Sequence, residues 1–333
     1  MKLLTIIVTY NGKKWMDRCL GSLRIASVQS DIIVIDNGST DGTAEYIAAE
    51  FPEAQLVVTG ENLGFGKANN IGLQKAVNEG YDYVYLLNQD AWVLPRTFER
   101  LVCAMESDPE YGILSPMQLT ASEDKMDPRF VRWCPAAAWK EWMHIRSASE
   151  TDNLSDGLSV EKYDANSDFD PVSVSDSDAV CGIVSESLPG EIHPVSFVMA
   201  AHWMISRACF CAVGGFSPAF PHYGEDDNYI HRAQYHGFKV GILSSAGAVH
   251  DREMRPASKE FRMRLKCVAS VVKLSNPSNC FWFRCLFQPV MLLVISLRYC
   301  SWSVFKYIFT LFASYSRLRS IRQASLTSGA FLD

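Results

Sequence analysis

Apolar and polar positions along the first hundred residues come in blocks. Leu3–Val8, Asp31–Asp36, Gln55–Val58 and Tyr83–Leu87 are short runs rich in Ile, Val and Leu, the pattern of strands buried on both faces. Between them the spacing turns helical. Trp15, Cys19, Leu20 and Leu23 share one face, Thr43–Phe51 follows the second run, and Ile71–Glu79 is stopped by Gly80. Such alternation with short connections predicts a mostly parallel α/β sheet with helices on both faces. Further on, Pro95–Met105 predicts a helix burying Phe98, Leu101, Val102 and Met105, and Tyr111–Leu119 a strand interrupted near Pro116. Val195–Ile205 reads as buried structure and Ser206–Val213 as a helix stopped by Gly214-Gly215. A helix from Glu225 to about His236 is expected to bury Tyr229, Ile230 and Ala233, ahead of a strand at Val240–Leu243 and a lead from Ala246 to His250.

The ends of the apolar runs carry the chemistry. Three of them finish on polar groups: Thr9-Tyr10-Asn11, Asp36-Asn37 and Asn88-Gln89-Asp90. The strand tips of one parallel sheet share an edge, and ligands bind beyond that edge. Asp90 either starts a turn or holds a divalent cation, since Mg²⁺ and Mn²⁺ take one or two carboxylates plus substrate phosphates. Asn62–Asn70 reads as a Gly-rich loop. Its Gly64-Phe65-Gly66 lacks the third glycine of a dinucleotide fingerprint, and there is no P-loop sequence. Glu225, Asp226 and Asp227 open a helix, where the dipole favours carboxylates and where one of them is rigidly placed to act as a general base. His250 follows a strand in a segment too polar for core.

Composition narrows the picture. The 333 residues are 48% hydrophobic and 20% charged with a net charge of −6, which suits one large or two modest domains and weighs against a nucleic-acid binder. Ten cysteines without a C-x-x-C pair read as reduced thiols. The immediate entry into a strand reads against a signal peptide. Trp133–Trp142 is Trp-rich and irregular, with aromatics for core packing or for stacking on a sugar. Residues 151–190 have Lys162 as the sole basic residue and are expected to form a mobile acidic loop. Arg262–Arg322 is the reverse, with Lys and Arg but no Asp or Glu. There, Phe281–Leu297 and Trp302–Phe312 predict amphipathic helices, lying on an anionic membrane or packed as a pair on the rest of the chain. The clean apolar core Val290–Leu297 is too short to span a bilayer.

Taken together, TIIVTYN, IIVIDNGSTDGT, NLGFGKANNIGL, YVYLLNQDAWV, the GGF at Gly214–Phe216 and YGEDDNYIHRAQYHGFKVGI resemble the family 2 glycosyltransferases of the GT-A fold. The likeness covers residues 3–120 and 195–255. It is nearest to bacterial enzymes that extend cell-surface polysaccharides, rhamnosyltransferase-like members included. The resemblance implies a Rossmann-like GT-A domain at 1–255, and the basic, aromatic composition beyond it is expected to make 256–333 a membrane-associated helical segment. It also implies an inverting hexosyl- or rhamnosyltransferase that uses a dTDP- or UDP-sugar, Mn²⁺ or Mg²⁺, and a glycan or lipid-linked acceptor at the cytoplasmic face of the inner membrane. Carried over by position, Asp226 is the catalytic base and Asp90 and His250 are metal ligands. Thr9, Tyr10, Asn11, Asp36, Asn62, Gly64, Lys67, Asn69, Asn88 and Glu225 line the donor site. Asn88 stands where the first Asp of the family's Asp-x-Asp element is expected, which keeps open a non-catalytic nucleotide-sugar binder. The incomplete glycine fingerprint argues against a nicotinamide-dependent oxidoreductase.

Overall fold

The computed structural model describes residues 1–155, 190–252 and 258–332. In chain order its strands are β1 (Leu3–Thr9), β2 (Asp31–Asp36), β3 (Ala54–Val58), β4 (Tyr83–Asn88), β5 (Ala91–Val93), β6 (Tyr111–Leu119), β7 (Ile192–Pro194), β8 (His202–Ser206) and β9 (Lys239–His250). They form one nine-stranded sheet in the order β3-β2-β1-β4-β8-β6-β9-β5, with β7 also paired to β9. β3, β2, β1 and β4 are parallel, β8 runs against β4 and β6, and β9 runs with β6. The short strands β5 and β7 are antiparallel to β9.

The strands read as continuous apolar runs because both faces are covered. Successive side chains alternate between two cores. Leu4, Ile6, Ile33, Ile35, Val84 and Leu86 enter one, and Leu3, Ile7, Ile32, Val34, Tyr85 and Leu87 enter the other. The second core is closed by α1 (Met16–Arg24), α2 (Thr43–Glu50) and α4 (Thr97–Ser107). The first is closed by α3 (Phe65–Glu79), α5 (Ala136–Ser155), α6 (Arg207–Val213) and α7 (Glu225–Tyr235). Ser206 caps α6 by accepting from the Cys209 N–H, and the Gly214 stop holds.

Four expectations change. The stretch 62–70 is not a loop throughout: Gly64, at φ +80°, is the N-cap of α3, which starts at Phe65. Gly66 packs so closely on Phe216 that a Cβ there would sit 2.8 Å from the Phe216 Cβ. The Trp-rich segment is helical from Ala136, and Trp142 lies in the core. That helix runs to Ser155, so residues 151–155 of the expected acidic loop are helical, and 156–189 lie outside the described residues. Val240–Leu243 and Ala246–His250 are parts of one strand, with a register shift against β6 between Pro116 and Met117.

The C-terminal part is a three-helix unit: α8 (Lys259–Ser275), α9 (Phe281–Arg298) and α10 (Trp302–Ala324). Its own small core contains Met263, Leu274, Phe281, Leu292, Ile308 and Leu311.

Candidate active site

β1, β2 and β4 are parallel and in register, with Thr9 opposite Asp36 and Val8 opposite Asn88, so their C-terminal tips fall on one edge. The tips are also tied to each other. Gln89 Oε1 accepts from Thr9 Oγ1 and from the Tyr10 N–H, each at 2.8 Å. Asn11 Oδ1 accepts from the Thr40 N–H at 2.8 Å, and the Asn11 N–H donates to Ser39 Oγ. Asp36 is fully buried, and its Oδ1 accepts from the Gly38 and Ser39 N–H groups. Its Oδ2 is buried with no hydrogen-bond partner among the described residues. A carboxylate oxygen left dry at a strand tip is a costly arrangement, and it fits an acceptor waiting for a ligand N–H or O–H.

Around this edge the Gly64 turn is held by Asn37, whose Oδ1 accepts from the Leu63 N–H and whose Nδ2 donates to the Gly64 carbonyl. Asn62 Oδ1 accepts from the Gly64 N–H at 2.9 Å. The turn lies against the loop before α7, because a Cβ on Gly64 would come within 2.6 Å of the Pro221 carbonyl oxygen. Asn62, Lys67 and Tyr10 are exposed beside this region. Asn69 is not: it is buried in α3 and its Nδ2 donates back to the Phe65 carbonyl at 2.9 Å, so in this conformation it braces the helix. A shallow depression beside the β1 tip is lined by Asn11, Lys13, Lys14, Asp17, Asp41 and Tyr46.

Asp90 lies in the tight turn between β4 and β5, and pairing of Ala91 with His250 brings the end of β9 beside it. His250 Nε2 is 3.3 Å from Asp90 Oδ1, and His250 Nδ1 is 3.7 Å from Asp127 Oδ2. Arg252 Nε donates to the same Asp127 oxygen at 2.6 Å, while Asp127 Oδ1 caps the Arg129 and Phe130 N–H groups. Burial alone would raise the Asp90 carboxyl, but the hydrogen bond and charge of His250, with Arg252, hold it below the usual carboxylate range. Behind His250, the His202 ring is packed neutral. Burial and the charge of His250 push its pKa down to about 3, so its Nε2–H donates to the Val249 carbonyl and its Nδ1 accepts from the Tyr85 hydroxyl.

The donor set fits a divalent cation. Two adjacent ligands of an octahedral Mg²⁺ or Mn²⁺ sit about 3 Å apart, close to the Asp90–His250 separation. Asp127 lies 3.7 Å from the other ring nitrogen, too far for a hydrogen bond, so His250 Nδ1 has no hydrogen-bond partner among the described residues and Asp127 faces the ring only as a charge. Asn88, the last residue of β4, is partly buried, and its N–H donates to the Ala201 carbonyl.

Asp226 is in the first turn of α7. Gly224, at φ +84°, is the N-cap, and Asp226 Oδ1 accepts from the Asp227 N–H at 2.9 Å. Burial raises the Asp226 carboxyl, opposed by backbone N–H groups and by the charge of Arg252. Glu225 and Asp227 are each pushed up to about 7 by burial and by their neighbouring carboxylates. The charge of Arg252, which is paired with Asp127, lowers the Asp90 and Asp226 carboxyls slightly, as the smallest influence on each. Asp127 and Arg252 are the site residues the sequence reading passed over, while Asn37 and Gln89 were noted at strand tips without a role. Arg252 had a signal, a charged residue two positions beyond His250, but Asp127 sits in an irregular connection with no motif around it.

Residues 5–153 match the model of the glycosyl transferase family 2. An N-acetylglucosaminyl-diphospho-decaprenol L-rhamnosyltransferase of Mycobacterium tuberculosis is 32% identical over 121 residues, covering 34% of this chain and 39% of that protein. An undecaprenyl-phosphate mannosyltransferase of Micrococcus luteus is 34% identical over 110 residues, covering 32% of this chain and 45% of that protein. The chain thus spans less than half the length of these curated relatives. In three dimensions, S. aureus TarS in complex with UDP superposes with a TM-score of 0.51 at 14% identity, over 88% of this chain and 71% of that one. This is a likeness of fold.

Proposed function

Because residues 5–153 belong to the glycosyl transferase family 2 and the fold is of the GT-A type, we propose that this chain is an inverting glycosyltransferase. It takes a sugar from a nucleoside diphosphate donor, UDP- or dTDP-linked, and passes it to a hydroxyl of a glycan that is carried on a lipid at the cytoplasmic face of the inner membrane. The polyprenol-linked substrates in the names of both relatives support the class of acceptor. The observation that carries the reading is the Asp90–His250 pair, 3.3 Å apart beside the C-terminal tips of the parallel strands; in this reading the Asp226 carboxylate faces that pair across the donor sugar.

Each part of the cleft has a task. The tips of β1 and β2, with Thr9, Tyr10, Asn11 and Asp36, take the nucleoside, and the unpartnered Asp36 oxygen accepts a hydrogen bond from it. Asn62, Gly64 and Lys67 border the donor, with Lys67 free in reach of phosphate as an exposed side chain. Asp90 and His250, with Asn88 beside them, would hold a divalent cation, which when bound would supply positive charge against the diphosphate. Asp226 accepts the proton of the acceptor hydroxyl, and its raised pKa makes it a better base than an ordinary aspartate. The hydroxyl oxygen bonds to the anomeric carbon as the bond to the diphosphate breaks on the opposite face, and the configuration inverts. Glu225 stands next to the base and meets the donor side through its packing near Gly66.

The test is a panel of UDP- and dTDP-sugars scored for Mn²⁺-dependent binding and turnover, repeated with Asp226→Asn. The variant is expected to fold and bind donor while turnover falls roughly 10²–10⁴-fold; undiminished turnover would remove Asp226 from the role. Asp90→Ala is expected to abolish the difference in donor affinity that EDTA makes for the native chain, read by calorimetry. If the native chain binds donor but turns over none of the panel, the second reading applies, a nucleotide-sugar binder, which the Asn at position 88 favours.

A further inference from the structure

The three-helix unit buries one side of α9 and exposes the other, and both sides are apolar. Phe281, Cys285, Leu292 and Ser296 face inward. Outward, along the same helix, stand Trp282, Phe283, Leu286, Val290, Val294 and Leu297, with Leu286 77% and Leu297 69% exposed. α10 continues the face with Trp302, Phe309 and Phe312, Trp302 being 65% exposed. A helix that is apolar all round belongs either in a protein core or against lipid, and an apolar patch of this extent is rare on a soluble monomer. Charge identifies the occupant. From Arg262 to Arg322 the chain has Lys and Arg but no Asp or Glu, although the whole chain carries −6. Basic groups sit among the aromatics: Lys306 lies over the Trp302 ring at 5.9 Å and Arg319 over the Trp282 ring at 5.1 Å.

We propose that the exposed face of α9 and α10 is a docking surface for an anionic phospholipid bilayer, on which the two helices lie in the plane of the membrane. This deepens the membrane-side reading above. α9 has 18 residues and mean hydropathy 1.4, which is enough by length and composition to cross a bilayer. Crossing would strip it from the packed side it shares with α8 and α10 and draw Arg284 and the buried Gln288 into hydrocarbon. Lying flat keeps the inner core and immerses only the outer face. The same unit abuts the catalytic turn. A Cβ on Gly224 would come within 2.8 Å of side-chain carbons of Val268 and Val272 of α8, and the Tyr223 ring packs edge-on against Phe261 at 5.2 Å. Docking thus brings the Asp226 end of the cleft to an acceptor that diffuses in the lipid surface.

The experiment is vesicle flotation of the full chain with phosphatidylcholine alone and with added phosphatidylglycerol, at low and high salt. Binding is expected to the anionic vesicles, weakened by salt and by loss of the anionic lipid. Leu286→Ser with Val290→Ser should lower partitioning roughly tenfold or more. Arg317→Gln with Arg319→Gln should lower it about fivefold per charge. Both double variants should keep the native melting temperature and donor hydrolysis in solution. Equal binding to neutral vesicles, resistance to alkaline carbonate extraction as for a spanning helix, or dimerisation through this face in place of vesicle binding would each overturn the proposal. Donor turnover that persists while vesicle binding fails would sink the docking surface and leave the transferase reading standing. The converse result would do the opposite.

Discussion

At the scale of single residues, the three carboxylates that open α7 work against the fold and in favour of chemistry. Glu225 ionises near 4.5 in an unfolded chain and near 7 here, because burial and two like charges disfavour its anion. The folded state therefore prefers its protonated form. Stability is unaffected well below 4.5, falls as pH rises through the window up to about 7, and stays reduced above it. Glu225→Gln is accordingly expected to raise stability by about 1–3 kcal/mol near pH 8 and to be close to neutral near pH 4, which thermal melts at the two pH values would show. A gain of equal size at both would mean that charge is not the cause. With Asp226 as the proposed base, the same trio is expected to set the pH dependence of turnover. The rate should fall as pH drops and the proposed base Asp226, its pKa raised by burial, takes up a proton, and Asp227→Asn, by removing a neighbouring carboxylate, should move that limb to lower pH. An unmoved limb would separate Asp227 from the base. The position of these carboxylates was legible, because a helix start after a Gly is written locally. Their raised pKa was not, because it comes from residues that the fold packs over them.

At the scale of elements, the strand tips were readable and their braces were not. An apolar run that stops on Asp or Asn announces a strand end, so Asp36, Asn88 and Asp90 were placed from pattern alone. The boundary of α3 was misjudged because two glycines in Gly64-Phe65-Gly66 look like a loop. In the structure only Gly64 needs glycine's freedom, while Gly66 is there to let Phe216 approach. Asp127 shows the other limit. It caps the turn at Arg129 and Phe130, grips Arg252 and stands beside His250, yet it belongs to no periodic element. Asp127→Asn keeps an oxygen for the turn but loses the charge that holds Arg252. If His250 holds the cation as proposed, loss of this carboxylate charge beside its ring is expected to weaken Mn²⁺ affinity in the presence of nucleoside diphosphate by about 10–100-fold. Calorimetry with Mn²⁺ and UDP or dTDP measures it, and native affinity in the variant would show that Asp127 serves the turn alone.

At the scale of the whole molecule, composition divides the chain near residue 255, but contacts join the two parts again through the residues after α10. The Gly215 N–H donates to the Ala330 carbonyl at 2.8 Å, and the Gly329 N–H donates to the Ala212 carbonyl. Asn70 Nδ2, on α3, donates to the carbonyls of both Phe216 and Phe331. The Arg232 guanidinium lies over the Phe331 ring at 4.8 Å, while its Nη1 donates to the Gly215 carbonyl. Leu332 packs on the main core. A strap at 329–332 thus crosses the GGF turn and the buried side of the helix that carries Asp226. Charge and hydropathy report what surrounds a segment, not where its far end is fastened, so this return was invisible in the sequence. The strap implies that the two parts unfold as one unit. A chain ending at Ser328 should lose about 2–4 kcal/mol from the hydrogen bonds and the apolar burial, which is roughly 3–6 °C in melting temperature for a protein of this size, in a single transition followed by tryptophan fluorescence. An unchanged melting temperature would make the strap a passive tail. It also means that cutting the chain after Asn276 to free it from a membrane would strip the strap as well as the docking face. Only point substitutions on the outer side of α9 and α10 separate lipid binding from folding.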